Sequence, residues 1–185
     1  MRNKKGFTLI ELLVVIAIIG LLSSVVLASL NGARQKAQVA KELSQIRQLM
    51  TVSGAYRADT GALVPSCTVV GCTSANDPII QSLGVSGWAG PYFPGGVHGF
   101  KHQWGGQIGI LQGDVDGDGI LENRIVLDDD APMSGYNDDT GVIPTSVLLM
   151  IDVRIDDGNL GTGRARGDGL GFGSVVGEMA ILFST

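Results

Sequence analysis

From Phe7 to Leu30 the chain runs for 24 residues with one charge, Glu11, behind the opening MRNKK and Gly6. As a helix this run is about 36 Å long, enough to cross a bilayer core of about 30 Å. Arg2, Lys4 and Lys5 precede it, so the positive-inside tendency keeps the short N-terminus in the cytoplasm and sends the remainder of the chain outside. A secretory signal peptide starts similarly, but its apolar core is shorter and rarely holds a Glu. A carboxylate in hydrocarbon is expensive, so Glu11 requires a cationic partner, a proton or a position close enough to the interface to snorkel.

Charge divides the chain in two. Residues 1–57 carry eight Lys/Arg against Glu11 and Glu42, a balance of +6, whereas residues 58–185 carry five Lys/Arg against sixteen Asp/Glu, a balance of −11. So acidic a distal part is poorly suited to nucleic acid, and no direct nucleic-acid partner is expected. With 28 Gly and few aromatics, it reads as a loop-rich β domain. Cys67 and Cys72 are the only cysteines; outside the cytoplasm they suit a small disulfide loop, and in a reducing compartment they are two thiols.

The sequence Lys5-Gly6 followed by Phe7-Thr8-Leu9-Ile10-Glu11-Leu12-Leu13-Val14-Val15-Ile16-Ala17-Ile18-Ile19-Gly20 resembles the type IV pilin superfamily, the type IV pilins and the pseudopilins of type II secretion. The resemblance covers about the first 30 residues. It implies a leader, residues 1–6, removed by a prepilin peptidase between Gly6 and Phe7, and methylation of the new Phe7 amino group. It also implies an inner-membrane precursor, an inner-membrane assembly platform, and copies of the chain as partners in a helical pilus or pseudopilus. Glu11 then aligns subunits, and the Phe7 amino group of a neighbour is the cation its carboxylate needs. Many pilins carry Pro where this chain has Ala28, which implies a straighter helix here.

Residues 31–57 read as an amphipathic stalk continuing the helix past Asn31-Gly32, with Val39, Leu43, Ile46 and Met50 as one apolar stripe against the head. Arg34, Lys36, Lys41 and Arg47 make the other faces basic, either as a solvated surface or as a match for acidic heads of adjacent subunits. Gly54 and Asp59-Thr60-Gly61 end the helix. In the head, residues 58–185, Pro78 to Leu83 reads as a short helix and Gln107 to Gln112, Ile120 to Leu127, Ser146 to Ile155 and Ser174 to Phe183 as strands, with Asp156 to Gly173 a flexible glycine-rich loop. The expected fold is α+β: a long N-terminal helix on a small antiparallel sheet of about four strands. Gly87-Trp88-Ala89-Gly90-Pro91-Tyr92 and His102-Gln103-Trp104-Gly105-Gly106 resemble a worn major-pseudopilin pattern, with Trp88 and Trp104 as core anchors. His98 and His102 read as surface or loop residues.

Asp114, Asp116 and Asp118 alternate before Gly119, which is how an EF-hand-type calcium loop begins: oxygens at positions one, three and five, then Gly for the sharp turn. Ile120 offers a carbonyl and Glu122 stands at position nine. Position twelve is Ile125 instead of a bidentate Glu, and the flanks read as strands, so the EF-hand fold is excluded while calcium remains the expected ligand. Missing oxygens are sought in Glu122, in Asp128 to Asp130, or in Asp138 and Asp139. The competing reading is a solvated Asp-Gly turn.

These features favour a structural subunit over an enzyme, since no nucleophile, base and orienter are arranged together in the sequence. The rival from another class is a monomeric membrane-anchored, calcium-dependent surface-binding module, in which Glu11 is dispensable and the Gly6-Phe7 bond stays intact.

Overall fold

The computed structural model describes residues 6–68, 71–115, 118–131, 141–171 and 175–183. In chain order it contains α1 (Leu9–Thr60), β1 (Ile108–Gly113), β2 (Glu122–Leu127), α2 (Thr145–Ile155), β3 (Ala165–Gly167) and β4 (Met179–Leu182). The chain divides into two compact units, one ending at Gln38 and one starting at Val39.

In the first unit every described side chain of α1 is exposed, including the large apolar residues from Leu9 to Leu30. A helix apolar on all sides has no face to turn to water. By length and hydropathy it is able to cross a membrane. The helix passes through Ala28 and through Asn31-Gly32 without a break.

In the second unit the C-terminal part of α1 buries Val39, Leu43, Ile46, Leu49, Val52 and Tyr56, a face with helical spacing. The stripe expected from sequence is present, but Leu49 is fully buried in it and Met50 sits half-buried beside it. Gly54 does not stop the helix, which continues to Thr60 before Gly61 turns it with φ of 70°.

The sheet has order β1-β2-β4-β3 and is antiparallel throughout. Its register lines up Ile110, Ile125, Ile181 and Ala165 across the four strands, and Ile108, Leu127, Met179 and Gly167 in the next row. All eight are buried, and the seven with side chains share one core cluster with the α1 stripe. The α+β architecture and the strand number match the sequence reading, but the strands are not all the expected ones. Ser146 to Ile155 is helical, because Val147, Leu148 and Ile151 turn together into the core while Leu149 and Val153 face outward. Within Ser174 to Phe183 only Met179–Leu182 is a strand, preceded by a turn with Gly177 at φ of 87°. The fourth strand, β3, comes from the glycine-rich stretch that reads as a loop.

Pro78 to Leu83 is also not a helix. It contains a single turn in which the Ile80 and Gln81 amides donate to the Asp77 carbonyl. Asp77 itself is buried, and its carboxylate accepts from the amides of Ile79, Val97 and His98 and lies 2.9 Å from His98 Nδ1. One carboxylate thus gathers a long loop that has almost no regular structure. Cys67 pairs with Ile110 of β1 through two backbone hydrogen bonds and forms a disulfide with Cys72, Cα to Cα 5.1 Å. Trp88 and Trp104 are half-buried against the core; Trp88 Nε1 donates to the Pro78 carbonyl, and its ring meets Tyr92 edge-on, as Tyr92 meets Tyr56 of α1.

Candidate assembly end and acidic sites

The start of α1 is built by Thr8 and by Glu11, the residue whose expected role is to align subunits. Thr8 precedes the first helical residue, and its Oγ1 accepts from the Glu11 amide at 3.3 Å. Glu11 Oε2 in turn accepts from the Thr8 amide and from Thr8 Oγ1, both at 2.8 Å. This is a reciprocal capping box, Thr-x-x-Glu, which satisfies backbone donors that a helix start leaves open. The four-residue spacing was available as a signal in the sequence. Gly6 and Phe7 stand outside the helix, and Phe7 is 84% exposed.

In the loop between β1 and β2, Asp114 Oδ2 accepts from the Gly119 amide at 3.0 Å and Asp118 Oδ1 from the Ile120 amide at 2.8 Å. Glu122 Oε2 accepts from the Val115 amide at 3.1 Å, and Gly119 has φ of 87°. The loop is therefore curled back on its own carboxylates, with Gly at the sharp turn as its sixth position requires. Asp116 lies outside the described residues, as do Asp138 and Asp139. Asp128 to Asp130 cannot complete this loop. They follow β2, whose six residues carry the chain roughly 20 Å from Glu122 at about 3.3 Å per residue.

Asp128 and Asp129 instead meet Glu178, forming one of the groups whose oxygens lie within 4.8 Å of each other. Burial, then the Asp128 and Asp129 charges, push the Glu178 carboxyl up to about 7. The neighbouring His102 lies in a loop, one of the two positions read for it, but is buried there instead of on the surface. Its Nδ1 accepts from the Trp104 amide at 3.1 Å, which leaves Nε2–H to donate to the Asp128 carbonyl at 2.8 Å. Burial holds the ring neutral, with its pKa lowered to about 4. A second such group, Asp152, Asp156 and Asp157, closes the end of α2.

No local pattern announces Glu42 as a site residue: it lies in the buried stripe of α1, where a Glu breaks the apolar pattern. Its Oε2 accepts from the Gln103 amide at 3.1 Å, and Oε1 is buried with no hydrogen-bond partner. Gln45 accepts from Gln103 Nε2 and donates to the Lys101 carbonyl, so three polar contacts fasten the Trp104 turn to the helix. Burial raises the Glu42 carboxyl to about 7. The folded state then keeps this proton up to pH about 7, while the unfolded chain releases it near 4.5, so stability falls as pH rises through that window. Glu42→Gln is expected to stabilise the head at pH 8 by up to about 3 kcal/mol and to be neutral below pH 4.5. His102 acts oppositely, losing stability as pH falls from 6.5 to about 4, so the variant should also unmask acid sensitivity. Parallel pH series of thermal melts for the two proteins test this; equal curves would reject a buried, protonated Glu42.

Comparison with known proteins bears on the N-terminal motif first. Residues 1–27 match the family described as the prokaryotic N-terminal methylation motif. The type II secretion system core protein G of Klebsiella michiganensis is 32% identical over 131 residues, covering 63% of this chain and 87% of that protein. The chain belongs to the type IV pilin and type II secretion pseudopilin family. Core protein G of Dickeya chrysanthemi is 41% identical over 58 residues, 31% of this chain and 38% of that protein. The type IV wide pilus major component of Thermus thermophilus is 40% identical over 62 residues, 34% of this chain and 47% of that protein. In these two cases the matched part spans less than half the length of the relative. No solved structure matches the chain. For a pilin-family subunit the exposed apolar helix and its methylation motif are consistent with a membrane precursor that is later part of a pilus.

Proposed function

We propose that this chain is a non-catalytic filament subunit, held in the inner membrane by Phe7 to Leu30 until a prepilin peptidase cuts between Gly6 and Phe7 and methylates Phe7. An assembly platform then extracts the subunit into a pilus or a type II secretion pseudopilus. The supporting observation is the 9–30 segment of α1: every large apolar side chain on it is exposed, and the head completes its core without them. Such a surface is stable in lipid before assembly and against the same segment of other copies afterwards. Glu11 of one subunit pairs with the Phe7 amino group of a neighbour and fixes the axial register, while Arg34, Lys36, Lys41 and Arg47, all exposed, face the acidic heads. Mass spectrometry of assembled material should find chains starting at methylated Phe7; filaments made of chains retaining residues 1–6 would overturn the reading.

The head binds calcium in this reading, through Asp114, Asp116, Asp118, the Ile120 carbonyl and Glu122. Support comes from the inward-turned carboxylates and from Gly119 in the left-handed region, the arrangement a hard cation needs from an oxygen-rich loop. Calcium at a hundredfold excess over its dissociation constant would add about 2.7 kcal/mol to the folded state. For a domain of this size that raises the melting midpoint by roughly 5–10 °C relative to chelator. An unchanged midpoint, or a rise that survives Asp114→Asn with Asp118→Asn undiminished, removes calcium from this loop.

A further inference from the structure

We propose a second divalent-cation site at the C-terminal end of α2, formed by Asp152, Asp156 and Asp157 and suited to calcium. Asp152 lies one helical turn before Asp156, the residue that caps α2, and Asp157 follows directly. One oxygen from each of the three lies within 4.8 Å of the others. Clustered acids alone mean little, but Asp152 is different from its partners: it has no exposed surface, neither carboxylate oxygen has a donor in good hydrogen-bond geometry, and the Gly158 amide offsets only in part the burial and the Asp157 and Asp156 charges that raise its carboxyl pKa. A buried carboxylate normally has its oxygens satisfied, because leaving both bare forfeits hydration without replacement. Here both are sealed from solvent beside two further carboxylates.

The surroundings sharpen the need for positive charge. The last carbonyls of a helix carry the negative end of its dipole, so three carboxylates at this end are repelled by one another and by α2 itself. The nearby cations do not answer Asp152. Arg154 donates to the Met150 carbonyl and Arg164 to the Ile155 carbonyl, while Arg166 acts on Asp157. A bound cation would satisfy the buried carboxylate and relieve the repulsion together.

The partners are held ready for a ligand. Asp157 Oδ1 accepts from the Asn159 amide at 2.9 Å and Oδ2 from Thr162 Oγ1 at 2.6 Å; Asp156 Oδ2 accepts from the amides of Arg164 and Ala165. Each Asp157 oxygen keeps a second lone pair, and Asp156 offers its other carboxylate oxygen, Oδ1. An all-oxygen set of carboxylates beside an exposed loop suits calcium, which takes six to eight oxygens in loose geometry and fills the remainder with water. Affinity in the range of extracellular modules, about 0.1–1 mM, is expected.

The experiment is calcium titration calorimetry on the full chain in detergent, with thermal melts alongside. The Asp114→Asn, Asp118→Asn double variant is the background, so that the β1–β2 loop does not contribute. In that background one calcium per chain should still bind, and adding Asp157→Asn, an exposed change, should weaken it at least tenfold. Asp152→Asn should give a crossing result: as stable as its parent or more so in chelator, and less stable than its parent in calcium. Absence of binding in the background, or binding unaffected by Asp157→Asn, overturns the proposal. Failure of the β1–β2 loop to bind calcium looks different: the parent and the double variant would titrate alike, and Asp157→Asn would weaken binding at least tenfold in both.

Discussion

Cells carrying Glu11→Val are expected to accumulate a processed, membrane-inserted subunit and to assemble no filaments. The structure gives Glu11 a capping task beside the proposed pairing with a neighbour's amino group, and Glu11→Gln distinguishes the two. A Gln at the third helical position can still complete a capping box with Thr8, whereas it cannot pair with a neighbour's amino group. Losing the box alone costs about 1 kcal/mol at one helix end, too little to abolish a polymer held by many apolar contacts. Loss of an ion pair in a low-dielectric filament core is far larger, because the amino group left behind is desolvated and unpaired. Glu11→Gln should therefore fail to assemble as Glu11→Val does, with cleavage at Gly6-Phe7 intact in both. Filaments at normal abundance from Glu11→Gln, but not from Glu11→Val, would assign Glu11 to helix capping and remove the intersubunit pair from the mechanism. Electron microscopy with mass spectrometry of the mature N-terminus reads both outcomes.

Gly106→Ala is the second change expected to do severe damage, for a packing reason. A Cβ there would collide with the Asp128 carbonyl and lie 2.5 Å from His102 Nε2, in the place where those two groups hydrogen-bond. Gly141 closes the same space from the other side, its own Cβ position falling on the Gly106 backbone. None of these backbones can yield without breaking the bonds that hold the 128–130 turn: Gln107 amide to Asp130 carbonyl, Asp128 amide to Gln107 carbonyl, and Gly141 amide to Asp129 carbonyl. The expected loss is about 3 kcal/mol or more, roughly 6–12 °C in the melting midpoint. Gly113→Ala at the end of β1 is the matched control, because a Cβ there meets nothing within 4 Å. A melt in which the two variants behave alike would show that the turn does not depend on this approach.

How much was readable in advance depended on whether neighbours in sequence or neighbours in space carried the signal. The N-terminal motif, the stripe from Val39 to Met50 and strands β1 and β2 are local patterns, and each lies close to where its residues place it. Thr8 and Glu11 also have the Thr-x-x-Glu spacing of a capping box, inside the same motif that implies an assembly role for Glu11. Residues 146–155 were not decidable locally. Val147, Leu149, Ile151, Val153 and Ile155 alternate as a strand would, while Val147, Leu148, Ile151 and Ile155 follow helical spacing equally well. The helix wins because Val147, Leu148 and Ile151 together reach the core, whose sheet is filled by β4 and the short β3.

Sequence by itself determined the membrane-length helix, the family, the α+β class and the acid-rich loop, since each is written in a contiguous run whose period, hydropathy or motif is independent of the remainder. Tertiary structure alone decided which segment supplied the fourth strand, why Asp77 anchors a loop without regular elements, that Glu42 and His102 are buried, and that Asp152 is buried beside two further carboxylates. Those are properties of desolvation and of polar pairing between residues up to tens of positions apart, and a one-dimensional pattern carries no record of either.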